Sequence, residues 1–154
     1  NGFPLGAVVA KRAIAESMAD KFLFHTYGAN PVACAAGRAV LEVIAAERLQ
    51  ENARKVGAAL LTRLHELQNR YPVIGNVRGR GLMMAVELVK DRKSKEPDPR
   101  TTALVFEETR RQGLVVSKSG PYRSVLRMVP PLCLSKDDVE PVADALDRSF
   151  KVIC

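Results

Sequence analysis

The sequence predicts an α+β layered domain over residues 46–154, preceded by a segment, residues 1–45, that reads as the end of a larger domain. Three observations carry this. From residue 46 the elements run helix, strand, strand, helix, strand, strand, helix, an order that folds as helices against an antiparallel sheet. Arg48 to Arg70 places Leu49, Val56, Leu60, Leu64 and Leu67 on one helical stripe. Residues 1–45, by contrast, hold too few elements to close a core of their own.

Taken in order, Asn1-Gly2 is a turn signal. Leu5 to Ala10 is a short apolar run of strand length. Lys11 to Lys21 carries Ile14, Ala15 and Met18 at helical spacing. The stretch from Phe24 to Gly37 then joins two elements. Thr26 offers a hydroxyl, Gly28 permits close backbone approach, and Asn30-Pro31 reads as an N-cap with proline at the first helical position. A hydroxyl and a glycine ahead of a helix start suit an anion held on exposed N–H groups; a plain loop with a good helix start is the other reading. The helix so opened runs to about Glu47.

After the Arg48–Arg70 helix, Tyr71-Pro72 is a stop. His65 beside the stripe reads as a surface histidine, with no ligand-spaced partner. Val73 to Val77 and Leu82 to Val89 read as strands, with Arg78-Gly79-Arg80-Gly81 as a sharp hairpin or bulge; phosphate or RNA binding is the competing reading of that stretch. Lys90 to Arg100 is an exposed loop. Thr102 to Gln112 is a helix with Leu104, Val105 and Thr109 inward and Gly113 as its C′ residue. Leu114 to Ser117 is a strand, Ser119 to Arg123 a turn around Gly120-Pro121, and Val125 to Val129 a strand. Ser135 and Asp138 form a capping box for a last helix reaching about Phe150, with Val139, Val142, Ala143, Leu146 and Phe150 inward.

Composition narrows the function. The 154 residues are 47% hydrophobic with a net charge of +7. The basic residues are interleaved with acids rather than clustered, and aromatics make up only 5% with no tryptophan. Stacking platforms for bases are therefore scarce, which argues against a nucleic acid partner. No apolar run approaches the roughly 20 residues of a spanning helix. Cys34, Cys133 and Cys154 form no CxxC pair, so neither a metal site nor a disulfide framework is expected, and Cys34 and Cys133 read as core residues. The chain opens on Asn1 without an initiator methionine, as a piece of a longer protein would.

Arg127 is out of place in the run Val125-Leu126-Arg127-Met128-Val129. An arginine in an apolar strand costs desolvation unless paired. Three readings are open: a substrate carboxylate held in the guanidinium fork, a structural pair with Glu87 or Asp91, or an outward-facing edge position.

Four stretches in order carry a family resemblance: Asn1-Gly2-Phe3-Pro4-Leu5-Gly6-Ala7-Val8-Val9, the Thr26 loop, Val77-Arg78-Gly79-Arg80-Gly81-Leu82-Met83, and Leu126-Arg127-Met128-Val129-Pro130-Pro131-Leu132. Together they resemble the C-terminal third of a class III (ω-type) aminotransferase dependent on pyridoxal 5'-phosphate (PLP), closest to the mitochondrial alanine–glyoxylate aminotransferase 2 type. The resemblance implies an α/β protein of PLP-transferase fold type I, with residues 1–45 ending the large domain and residues 46–154 forming the small one. It implies a homodimer, or a tetramer built from it, and amino-acid and 2-oxo-acid substrates. Thr26 matches the threonine that reaches the cofactor phosphate across the dimer interface. Arg127 matches the arginine that binds the substrate carboxylate. The Schiff-base lysine would lie just upstream of Asn1, so the chain holds no catalytic residue of its own and is expected to be inactive alone. One departure is Gly28-Ala29 where the family has Gly-Gly, tolerable if Ala29 keeps a negative φ. A phospholyase of the same family is the nearest alternative function. A basic RNA-binding module and a non-catalytic structural subunit are the readings outside that family.

Overall fold

The structure, a computed structural model, describes residues 2–154 and divides the chain into two compact units, Asn1–Glu47 and Arg48–Cys154.

The first unit is built around two helices, α1 (Arg12–Glu16) and α2 (Pro31–Ala46). The start of α2 follows its sequence signal. Asn30 is the N-cap, and its side-chain carbonyl accepts hydrogen bonds from the Val32 and Ala33 amides, both at 3.1 Å. Three expectations fail here. Leu5 to Ala10 forms no strand, since a strand needs a hydrogen-bonded neighbour and none faces it among the described residues. The Lys11–Lys21 helix is cut to five residues, followed by a turn over residues 17–20. Cys34 is exposed, as are Cys133 and Cys154, so the cysteines are surface residues and not core.

The second unit is a two-layer sandwich. Helix α3 (Leu49–Arg70) leads into the hairpin β1 (Ile74–Arg80) and β2 (Met83–Leu88); then come α4 (Pro99–Arg111), β3 (Ser117–Ser119), β4 (Val125–Met128), a 3₁₀ turn over Lys136–Asp138, and α5 (Val139–Ile153). The strands form one antiparallel sheet in the order β1-β2-β4-β3. One face packs on the helices. Leu60 and Leu64 of α3, Val105 of α4, Leu146 and Phe150 of α5, and Val86, Leu88 and Leu126 of the sheet are all buried in one cluster. Each such side chain removed from water contributes on the order of 1.5–3 kcal/mol.

The RGRG stretch does not interrupt β1. The strand continues through Arg80, which pairs with Met83, and the chain reverses at Gly81-Leu82 with Gly81 at φ +57°. Here α3 comes so close that a Cβ on Gly57 would overlap the Gly81 carbonyl. The β-bulge lies earlier, between Ile74 and Asn76. Strand β3 is shifted along the chain relative to the Leu114–Ser117 expectation: the Leu114 amide donates to the Thr109 carbonyl instead, closing the end of α4. In α4, Leu104 is 49% exposed while Thr102 and Glu108 are buried. Glu108 is tolerated inside because Arg111 and Gln112 donate to its carboxylate. The Ser135–Asp138 capping box forms as expected.

Two polar locks hold the layers. Tyr71 donates to the Asp147 carboxylate at 2.8 Å, and Arg70 donates to the same oxygen at 2.6 Å. Burial would raise the Asp147 pKa, but the Tyr71 hydroxyl and the Arg70 guanidinium outweigh it and hold the group below the usual carboxylate range. Arg92 donates to the carbonyls of Gln68 and Tyr71, which the end of α3 leaves open, and to those of Pro72 and Ile74 in the turn into β1.

Candidate functional site

Thr26 sits in the first unit, at the start of a tight turn. The Gly28 amide donates to the His25 carbonyl at 3.1 Å, closing the turn under Thr26 and Tyr27. Gly28 is needed there, since a Cβ would lie 2.9 Å from that of His25. Ala29 follows at φ +53°, so the condition of a negative φ is not met. This alanine occupies the left-handed region, where a non-glycine residue costs roughly 1–2 kcal/mol.

The loop supports part of the anion reading and corrects the rest. Thr26 is exposed, and among the described residues its hydroxyl has no hydrogen-bond partner, so it can donate to a phosphate oxygen. The helix start cannot serve in the same way. Pro31 has no N–H, Asn30 takes the amides of Val32 and Ala33, and the Cys34 amide donates to the Asn30 carbonyl. The first turn of α2 is already satisfied, so a phosphate here would rest on the Thr26 hydroxyl and the turn rather than on helix N–H groups. A cleft of about 680 Å³ lies elsewhere in this unit, against Phe3, Leu5, Ala33, Gly37 and Leu41. Thr26 does not line it.

Arg127 sits in the second unit, facing outward as one of the three sequence readings had it, but not at an edge. Strand β4 lies between β2 and β3, so Arg127 is not on an edge strand. Its neighbours Leu126 and Met128 face the helices and are buried, which turns Arg127 to the opposite, open face of the sheet, where it is exposed. Desolvation is therefore not its problem. Neither expected partner is taken up. Glu87 is bonded to Arg78 at 2.6 Å, and the Asp91 carboxylate accepts from the amides of Lys93 and Ser94. Among the described residues, the Arg127 side chain makes no ion pair and no hydrogen bond; its backbone pairs within the sheet, and its carbonyl also accepts from the Ser117 hydroxyl at 3.4 Å.

The open face has a definite pattern. Strand register sets Arg78, Ala85, Arg127 and Ser117 in one cross-strand row and Asn76, Glu87, Val125 and Ser119 in the next. Ala85 thus leaves low ground beside the Arg127 fork. Beyond the Ser117–Arg127 pair the two chain segments part, and a cleft of about 390 Å³ opens on the helix side of the sheet, where Leu60, Met128, Leu134 and Val142 line it together with Ser117 and Arg127. A free guanidinium with five donors on that open face is suited to a carboxylate. Sequence reasoning located Arg127 from its apolar context. It missed that Glu87 belongs to Arg78, a pairing visible only once the strands are in register. His65 is exposed, with its ring Nδ1 3.2 Å from the Gln68 side-chain oxygen, as a surface histidine would be.

The profile of the family described as "Aminotransferase class-III" matches residues 1–150. An Arabidopsis thaliana protein named alanine–glyoxylate aminotransferase 2 homolog 2, mitochondrial, is 46% identical over 97% of the chain. A Caenorhabditis elegans protein named ethanolamine-phosphate phospho-lyase homolog 1 is 37% identical over 96% of it. The chain spans 31% and 32% of those two proteins' lengths. Among solved structures, an amine transaminase from an uncultivated Pseudomonas species, in its PLP-bound form, superposes with a TM-score of 0.85 at 37% identity, over 93% of this chain and 34% of that one. The architecture is that of the corresponding part of a fold type I transaminase. The chain belongs to the class III aminotransferases.

Proposed function

We propose that this chain is the carboxylate-binding, phosphate-contacting part of a PLP-dependent aminotransferase that moves an amino group from alanine, or a similar donor, to glyoxylate or another 2-oxo acid. The observation that carries the reading is the unpaired, outward Arg127 on the open sheet face. Its planar fork offers two parallel N–H donors to a substrate carboxylate, fixing both its position and the plane of the adjoining carbon. Donor and acceptor in such a reaction both carry that carboxylate, so one arginine serves both halves.

Thr26 donates its hydroxyl to the cofactor phosphate, with the Gly28 turn keeping the approach clear. Its role lies across a homodimer interface, as the resemblance implies. When bound, PLP supplies the electron sink that lets an α-proton be removed. The lysine that moves this proton would lie outside residues 1–154, so the chain alone is inactive. Residues 1–45 belong to a large domain and residues 46–154 to a small one. The name of the Arabidopsis relative supports a mitochondrial location.

The test is to assay the full-length protein with alanine and glyoxylate and to measure PLP retention in Thr26→Ala. Loss of one hydrogen bond to a charged group should weaken retention by roughly 1.5–3 kcal/mol. Equal retention in both forms removes Thr26 from the cofactor site. The phospholyase reading is kept by the C. elegans relative. Phosphate release from phosphoethanolamine, with no transfer between alanine and glyoxylate, would put it first.

A further inference from the structure

Glu87 stands between two arginines. Directly paired residues of an antiparallel sheet share a face, and the register makes Glu87 a diagonal neighbour of Arg78 on β1 and of Arg127 on β4. Such diagonals span roughly 7–8 Å, within reach of long side chains. Only Ala85 lies between the two arginines in their row, so no bulky group separates them. Glu87 is also the one carboxylate that the four strands set on this face, against Arg78, Arg80 and Arg127.

The structure shows which arginine Glu87 takes. Its Oε2 accepts from Arg78 at 2.6 Å, and the same Arg78 nitrogen donates to the Asn76 side-chain oxygen at 2.8 Å. Arg78 is thereby anchored by two acceptors, and Arg127 is left with none. Without Arg78, the nearest cation for Glu87 on its other diagonal is Arg127. A tethered carboxylate competes at a high effective concentration with any free one.

We propose that Arg78 is a positioning residue for the carboxylate site: by holding Glu87 it keeps Arg127 open to an external carboxylate. The proposal rests on the reading of Arg127 given above. Arg78 touches no substrate itself. Its effect is on apparent affinity and not on the bound complex, because once a carboxylate occupies Arg127 the competitor is already displaced.

The test uses propionate, a simple monocarboxylate, titrated into the full-length holoenzyme, with KM and kcat for a 2-oxo acid measured beside it. Arg78→Ala should weaken propionate binding and raise KM by roughly three- to fivefold, the upper range for an exposed ion pair, with kcat unchanged. Arg78→Lys, which keeps the pair, should stay near wild type. Arg78→Ala combined with Glu87→Gln should return to within about twofold of wild type, a rescue that damage to the sheet would not give. Unchanged propionate binding in Arg78→Ala overturns the proposal, as does a loss that Glu87→Gln does not restore. Arg127→Ala separates the two levels: if it leaves propionate binding intact, the carboxylate site itself is misplaced and the role of Arg78 falls with it.

Discussion

Helices α2 and α3 are both long, and α2 is the more apolar, yet they end in opposite situations. In α2 only Ala33 is buried, while Val32, Leu41 and Val43 stand exposed. In α3 the residues Ala53, Val56, Gly57, Leu60, Leu64 and Leu67 are all buried. The difference is not composition but partnership. Helix α3 presents a narrow stripe to a sheet and to α5, and each apolar side chain meets another. The segments before α2 offer no such layer: Val8 and Val9 are each 96% exposed. Apolar residues without a facing layer make no core, and the stability of the chain is concentrated in residues 48–154.

The sharpest way to break this contrast is at the closest contact of the second unit. Gly57→Ala places a methyl against the Gly81 carbonyl, where backbone must move on both sides. Overpacking of that kind costs about 1–3 kcal/mol or more, and rigid backbone on both sides puts this case at the top of the range. A thermal melt of residues 48–154 within the chain should fall by several degrees or more; an unchanged melt would mean that α3 does not pack on the hairpin as described. A smaller change sharpens the other side. Ala29→Gly relieves a left-handed alanine in the first unit and should slow hydrogen exchange around residues 25–30, gaining about 1 kcal/mol locally. The melt of the second unit should not respond. A shift in both would show that the two units share their stability.

The same contrast explains what the sequence could tell. Signals carried within one turn of chain were legible: Asn30-Pro31 opens α2, Ser135 and Asp138 make their box, and the leucine stripe of α3 faces the core. Signals that depend on a distant partner were not. Leu5 to Ala10 has the pattern of a strand but no neighbour. Cys34 has an apolar context in sequence and an exposed one in space. Leu104, expected inward, is exposed, while Glu108 is buried because two nearby donors stabilise its carboxylate. At the candidate site, Arg127 stood out as a polar residue in an apolar run. Its outward direction was one of three open readings and could not be decided, since alternation says which residues share a face and not which face is covered. The pairing of Glu87 with Arg78 needed the register as well.

The account turns on Arg127, and one substitution tests it most directly. Arg127→Lys keeps the charge and removes the planar fork. In the full-length enzyme it should raise KM for both the amino and the 2-oxo acid by about tenfold or more, the equivalent of losing about 1.4 kcal/mol of carboxylate binding, while PLP retention stays unchanged. An unchanged KM for both substrates would contradict the account and take Arg127 out of the site.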